Sequence, residues 1–147
     1  MNKSQELPLG MILSRMTHEM FKVLRKRFEE EGETKLTIEQ FGLLHMINRE
    51  DNNVIQQMMA ERMGKNKSTI LRLINSLEKK ELVRRASGIK DKRENYLMVT
   101  KKGQKVIEQY LKIEFGLIDE LQQGLTVSDI EIFYKVVNQI KSNAEKL

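Results

Sequence analysis

Apolar positions along this chain recur mostly with a helical period and, in one short region, alternate as in strands. From Leu9 to Phe28 they fall at Leu9, Ile12, Leu13, Met16, Met20, Val23, Leu24 and Phe28, the spacing of one helix face. Glu29-Glu30-Glu31-Gly32 ends that run, with Gly32 a natural stop. Thr37, with Gln40 three residues on, forms a capping box that opens a second helix through Phe41, Leu44 and Ile47. Asp51-Asn52-Asn53 breaks it, and Asn53 can cap a short third helix with Val54, Met58 and Met59 inward. Gly64-Lys65-Asn66 reads as a turn, and Asn66 suits the N-cap of a helix from Lys67 to about Lys80. Leu82 to Ser87 and Asn95 to Val99 read as short strands joined by the charged stretch Gly88 to Glu94, a β-hairpin. Thr100 caps a long helix ended by Gln123-Gly124. Thr126 and Asp129 open the last helix, which carries Ile130, Phe133, Val136, Val137 and Ile140 on its apolar side.

The expected fold is therefore mainly α with a small β-hairpin wing: a winged helix-turn-helix embedded between long terminal helices. Its expected divisions are an N-terminal helix in residues 1–33, a winged lobe in 34–103 and the C-terminal helices in 104–147. Tyr110, Leu111, Ile113, Phe115, Leu117, Ile118 and Leu121 spread around more than one helix face. Such a helix needs two partners: the first helix alone, or more economically a second subunit, so that the terminal helices form a homodimer.

Composition removes several function classes. The chain has 147 residues, 39% hydrophobic and 32% charged, which reads as soluble and globular. No apolar run approaches the roughly 18 residues of a membrane span and no secretory leader opens the chain, so a cytoplasmic protein is expected. Cysteine is absent and only His18 and His45 are present, so no disulfide, thiol switch or metal site is expected. Both histidines read as structural, and no cofactor is implied. No phosphate-cradling glycine loop, nucleophile elbow or His-x-x-His spacing is found, and the chain does not read as an enzyme.

Charge sharpens the picture. The net charge is +5, but Val54 to Gly103 holds 13 Lys and Arg against 5 Asp and Glu, a net of +8. The remainder is mildly acidic. A basic island of this kind is either a solvated surface or a nucleic-acid footprint. At about 100° per residue, Ile70, Leu73, Ile74 and Leu77 cluster on one side of the Lys67–Lys80 helix. Ser68, Arg72, Asn75 and Lys79 line the other side, flanked by Thr69 and Ser76. A helix fits the major groove, where Arg bonds guanine bidentately, Asn bonds adenine, and Ser or Thr bond bases or phosphates. Lys65, Lys67, Lys101 and Lys102 would add phosphate contacts. Arg84, Arg85, Lys90, Lys92 and Arg93 crowd the hairpin, where Arg84, Lys90 and Lys92 suit phosphates and Arg93 a narrow minor groove. Asp91 repels phosphate, and its use there would be to hold Arg93 in position. The alternatives are an ordinary wet helix face and a routine surface ion pair.

The run Lys65-Asn-Lys-Ser-Thr-Ile-Leu-Arg-Leu-Ile-Asn-Ser-Leu-Glu-Lys-Lys-Glu-Leu-Val-Arg-Arg, then Asp91-Lys-Arg93-Glu-Asn-Tyr-Leu-Met-Val-Thr100-Lys-Lys-Gly103, closely resembles the MarR family of bacterial transcription regulators. The Asp-x-Arg wing and the Leu97-x-x-Thr100-x-x-Gly103 close are the specific part. Thr37 to Phe41 also looks like that family's second-helix opening. The resemblance implies a homodimer on pseudo-palindromic double-stranded DNA, most often a repressor, released by a small aromatic or phenolic effector. It implies that Arg93 enters the minor groove and that Ser68, Thr69 and Arg72 contact DNA. Met11, Met16, Met20 and Met46 would line an effector cavity or, more simply, fill core. A non-specific architectural DNA binder and a winged-helix adaptor for an acidic protein are the rival functions. One departure is Glu81, where the family usually has a glycine that closes the recognition helix in a left-handed conformation. A glutamate there is either strained or the helix ends differently.

Overall fold

The computed structural model describes residues 8–50, 54–87 and 95–147. Its order is α1 (Leu9–Glu31), α2 (Ile38–Arg49), β1 (Val54–Ile55), α3 (Gln56–Met63), α4 (Lys67–Lys79), β2 (Val83–Ser87), β3 (Asn95–Val99), α5 (Lys101–Leu121) and α6 (Val127–Glu145). It is a mainly helical winged helix-turn-helix, as the periodicities predict. The strands form an antiparallel sheet of order β1-β3-β2, with Val54 opposite Leu97 and Arg85 opposite Leu97 on the other side. One expectation is corrected here. Val54 and Ile55 belong to a strand, and α3 starts at Gln56. Two residues are too few to show a period, so pairing with β3 wins over helix propensity. The proposed cap Asn53 lies outside the described residues.

Local chemistry sets most boundaries. The Thr37 hydroxyl accepts from the Gln40 N–H at 3.1 Å, and the Gln40 amide oxygen accepts from the Thr37 N–H at 2.9 Å. This closes the expected capping box. The same Gln40 donates through its amide nitrogen to the Ser76 hydroxyl on α4, so one side chain starts α2 and ties it to α4. Thr126 and Asp129 make the equivalent box at α6. Gly32 ends α1 in an extended conformation, φ −74°. A Cβ there would lie 2.7 Å from the Phe28 carbonyl oxygen and crowd the Tyr110 hydroxyl, so the glycine is required by space.

The chain divides into two compact units, Met1–Glu114 and Phe115–Leu147. The core of the first joins Leu43, Leu44, Ile47, Met59, Ile70, Ile74, Leu77, Leu82 and Leu97, all fully buried. Each such aliphatic side chain contributes about 1.5–3 kcal/mol of burial free energy. A second cluster is aromatic. Phe28 meets Tyr110 edge-on at 4.5 Å between centroids, and Phe41 meets both rings at 5.4 and 5.5 Å. The buried Tyr110 hydroxyl donates to the Thr34 carbonyl and accepts from the Leu36 N–H at 3.2 Å. Burial pushes its pKa up, opposed by that Leu36 hydrogen bond.

In the second unit α6 has no buried residue. Val127, Ile132, Phe133, Tyr134, Val136, Val137 and Ile140 are exposed, as are Phe115, Leu121 and Leu125. On α1, Leu9, Met11, Ile12, Met16, Met20 and Phe21 are likewise exposed. The expected split around α5 is present: Val106, Ile107, Tyr110, Ile113 and Leu117 are buried, while Phe115 and Leu121 are not.

Candidate nucleic-acid interface

The helix-turn-helix is framed by two closures of one geometry. At the end of α3, Gly64 takes φ 62° while the Gly64 and Lys65 N–H groups donate to the Glu61 and Ala60 carbonyls, each at 3.2 Å. At the end of α4, Glu81 takes φ 62°, with its N–H to the Glu78 carbonyl at 2.9 Å and the Leu82 N–H to the Leu77 carbonyl at 3.0 Å. Both are Schellman motifs with the left-handed residue just past the cap. The glutamate therefore occupies the strained left-handed position rather than moving the helix end. Helix α4 stops at Lys79 with Lys80 as cap, one residue short of expectation.

A knot of hydrogen bonds holds that end. The Thr100 hydroxyl donates to the Glu81 carbonyl at 2.7 Å and accepts from the Gly103 N–H at 3.0 Å, so it caps α5 and grips the end of α4 together. The Thr100 N–H donates to the Leu82 carbonyl at 3.0 Å, and Lys102 Nζ donates to the Lys80 carbonyl at 3.1 Å. A Cβ on Gly103 would collide with the Leu82 carbonyl and lie 2.8 Å from Val99 Cγ1. The Thr100-x-x-Gly103 spacing thus has a mechanical meaning. A hydroxyl joins two helix ends, and a missing side chain lets them touch.

The outer face of α4 is as the periodicity requires. Ile70, Leu73, Ile74 and Leu77 are buried, whereas Lys67, Ser68, Arg72, Asn75 and Lys79 are exposed and Thr69 is half-buried. The Asn66 side chain accepts from the Thr69 N–H at 2.8 Å and the Ser68 hydroxyl at 2.9 Å, so Ser68 is held at the first turn. Lys65 is exposed in the turn. Arg72 is exposed, and no hydrogen bond or ion pair joins it to another described residue. Leu71 is also exposed on this helix and supplies an apolar group.

The wing divides its arginines between two faces. Val83 and Val99 pair across the strands and are buried, so the alternation turns Arg85 and its partner Leu97 inward and Arg84 and Met98 outward. Arg84 and Lys101 border one shallow cleft beside β3, bringing two expected phosphate contacts together. Arg85 instead reaches α4, where it donates through Nη2 to Asn75 Oδ1 and lies 4.0 Å from Glu78 through Nη1. This link was not visible in the sequence. The strand Val83-Arg84-Arg85-Ala86-Ser87 is too polar for its inner face to be recognised without its partner. Lys90, Asp91, Lys92 and Arg93 lie outside the described residues.

Among the described residues no helix is long and apolar enough to cross a membrane, and no cluster of three or more His, Asp or Glu side chains could hold a metal ion.

Residues 34–94 match the sequence profile of the MarR family. The fold is similar to a crystal structure of MarR at 26% identity and a TM-score of 0.81, covering 99% of this chain and 95% of that one. It is also similar to the transcriptional repressor CouR bound to a 23-mer DNA duplex, at 22% identity and a TM-score of 0.83, covering 96% of each chain. A third likeness is to the Staphylococcus aureus MepR–DNA complex, at 21% identity and a TM-score of 0.80, covering 94% of this chain and 99% of that one. The capping pattern and the three-stranded wing agree with that match: residues 34–94 are similar to the MarR family, and the chain has the winged helix-turn-helix fold of these structures.

Proposed function

We propose that this chain is a homodimeric, DNA-binding transcriptional repressor that lays α4 in the major groove of each half of a pseudo-palindromic operator. The observation that carries this reading is the exposed polar stripe Ser68, Arg72, Asn75 and Lys79, backed by four buried aliphatic residues on a helix locked at both ends. The CouR and MepR structures, which contain DNA, support it. Lys65, Lys67, Arg84, Lys90, Lys92, Lys101 and Lys102 supply phosphate charge, Arg93 enters the flanking minor groove, and Asp91 holds Arg93 in position. Residues 1–33 and 104–147 form the dimer, their exposed apolar residues covered by the second copy. Half-sites then lie about one helical turn, roughly 34 Å, apart. The setting is a bacterial-type cytoplasm.

A small aromatic effector bearing a phenolate or carboxylate would fit the cleft of about 290 Å³ between the end of α1 and the start of α2. Phe28 and Leu36 would meet a ring there, and the cations Arg25 and Lys35 would meet its anion in the presence of the carboxylates Glu29 and Glu39, which border the same cleft. The methionines do not border it, and Met11, Met16 and Met20 are exposed on α1.

Salt titrations with a selected operator and a random duplex test the reading. A repressor of this kind shows a steep salt slope and a large preference for the operator. Equal affinity for both duplexes means an architectural binder, and negligible binding to either means an adaptor. Arg72→Ala should weaken operator binding by about 1–3 kcal/mol and leave random DNA much less affected. An equal loss on both would remove the base-reading role.

A further inference from the structure

Asn75 stands in the middle of the outward stripe of α4, between Arg72 and Lys79. An asparagine there reads adenine only if both ends of its amide are available. The nitrogen must donate to N7 and the oxygen must accept from the N6 amino group. In this chain the oxygen is held by the wing, and although it keeps a second lone pair, the contact fixes which way the amide turns. Arg85 donates to it from the inward face of β2, and a guanidinium carries five donors and no acceptor, so the atom facing it must be Oδ1 and not Nδ2. Three further observations hold the latch closed. Glu78, one helical turn along α4, lies 4.0 Å from the same guanidinium. The pairing register of β2 with β3 places Arg85 on the inner face of that strand. Arg85 Nε is buried, so the base of the guanidinium lies against the protein while the side chain as a whole keeps 30% exposure.

We propose that Arg85 sets the specificity of Asn75, holding its amide oxygen toward the wing so that the amide nitrogen leads and a base with acceptors alone toward the helix is favoured over adenine. In the major groove those bases are guanine, through O6 and N7, and thymine, through O4. Arg85 is a positioning residue, since it acts through the amide rather than by touching DNA. This inference rests on the DNA-binding reading above and deepens it.

The test uses the full-length protein and a randomised duplex pool, followed by binding measurements on duplexes that differ at one base pair per half-site. Wild type should select guanine or thymine at the position read by Asn75, identified as the position whose preference Asn75→Ala abolishes. Arg85→Met keeps the aliphatic stem and removes every donor, so the amide oxygen is freed. Adenine should then gain roughly fivefold or more relative to guanine or thymine at that position alone. Asn75→Asp keeps the acceptor for Arg85 but has no donor, and should lose the guanine or thymine preference while keeping the fold. A double-mutant cycle of Asn75→Ala with Arg85→Met in urea unfolding reads the latch without DNA, and non-additive losses are expected. Adenine selected by wild type, an unchanged preference in Arg85→Met, or strictly additive unfolding losses would each overturn the inference while leaving the regulator reading intact. Absence of any sequence-selective binding by wild type would remove both.

Discussion

Glu81 carries a side chain where the backbone favours none. At φ 62° its Cβ crowds the following carbonyl, at a cost of roughly 1–2 kcal/mol, while Gly64 meets the same demand at the end of α3 without it. Part of that cost is returned because a glycine would enlarge the unfolded ensemble. Glu81→Gly is therefore expected to stabilise the protein by about 1 kcal/mol, seen as a higher urea midpoint with an unchanged slope. A lower midpoint would mean that the Glu81 side chain contributes more than its backbone loses. His45 is the second informative residue. Its ring stacks on Phe41 with centroids 5.8 Å apart, and its Nδ1 is buried without a partner. Burial holds its pKa below the ordinary 6.5, helped by the Arg49 cation and opposed by Glu114. The unfolded chain thus binds this proton more readily than the folded one, so stability rises with pH between the folded value and 6.5. Above 6.5 the full stability is present, and it falls as the pH drops through that window. Unfolding midpoints at pH 7.5 and 5.5 should differ more in wild type than in His45→Gln.

Among the elements, α4 was the most legible from the sequence. Asn66, the four aliphatic positions and the polar stripe agree on one helix in one orientation, because a 3.6-residue period over thirteen residues leaves little choice. The capping boxes at Thr37 and Thr126 were equally plain, since each is a local exchange of two hydrogen bonds. What was not legible depends on partners distant in sequence. The strand at Val54 exists through β3, and the inward turn of Arg85 follows from a register that only pairing fixes. Thr100 was expected as a cap for α5, but its grip on Glu81, nineteen residues earlier, was not. Thr100→Val removes both bonds at similar volume and should cost about 2 kcal/mol, a lost cap plus a lost hydrogen bond. Hydrogen exchange should then quicken at Gly103, whose N–H loses its acceptor, more than at Leu44 in the core. Uniform quickening would deny Thr100 its local role.

For the molecule as a whole, an apolar surface is left open among the described residues. Phe133, Val136, Val137 and Ile140 line α6 in the open, and a face of this kind asks for cover. Phe133→Asp should yield a monomer by sedimentation at micromolar concentration, with the far-ultraviolet helix signal of the winged lobe retained. Operator affinity should fall steeply, because two half-site contacts would no longer share one binding event. A dimer that survives Phe133→Asp unchanged would move the interface elsewhere.

The knot at Thr100 has a consequence for how force travels through the winged lobe. The last turn of α4, the close of β3 and the first turn of α5 meet through a hydroxyl, a lysine and a glycine with no room between them. A joint without slack makes a lever: if the opening turn of α5 swivels, the last turn of α4 must swing with it.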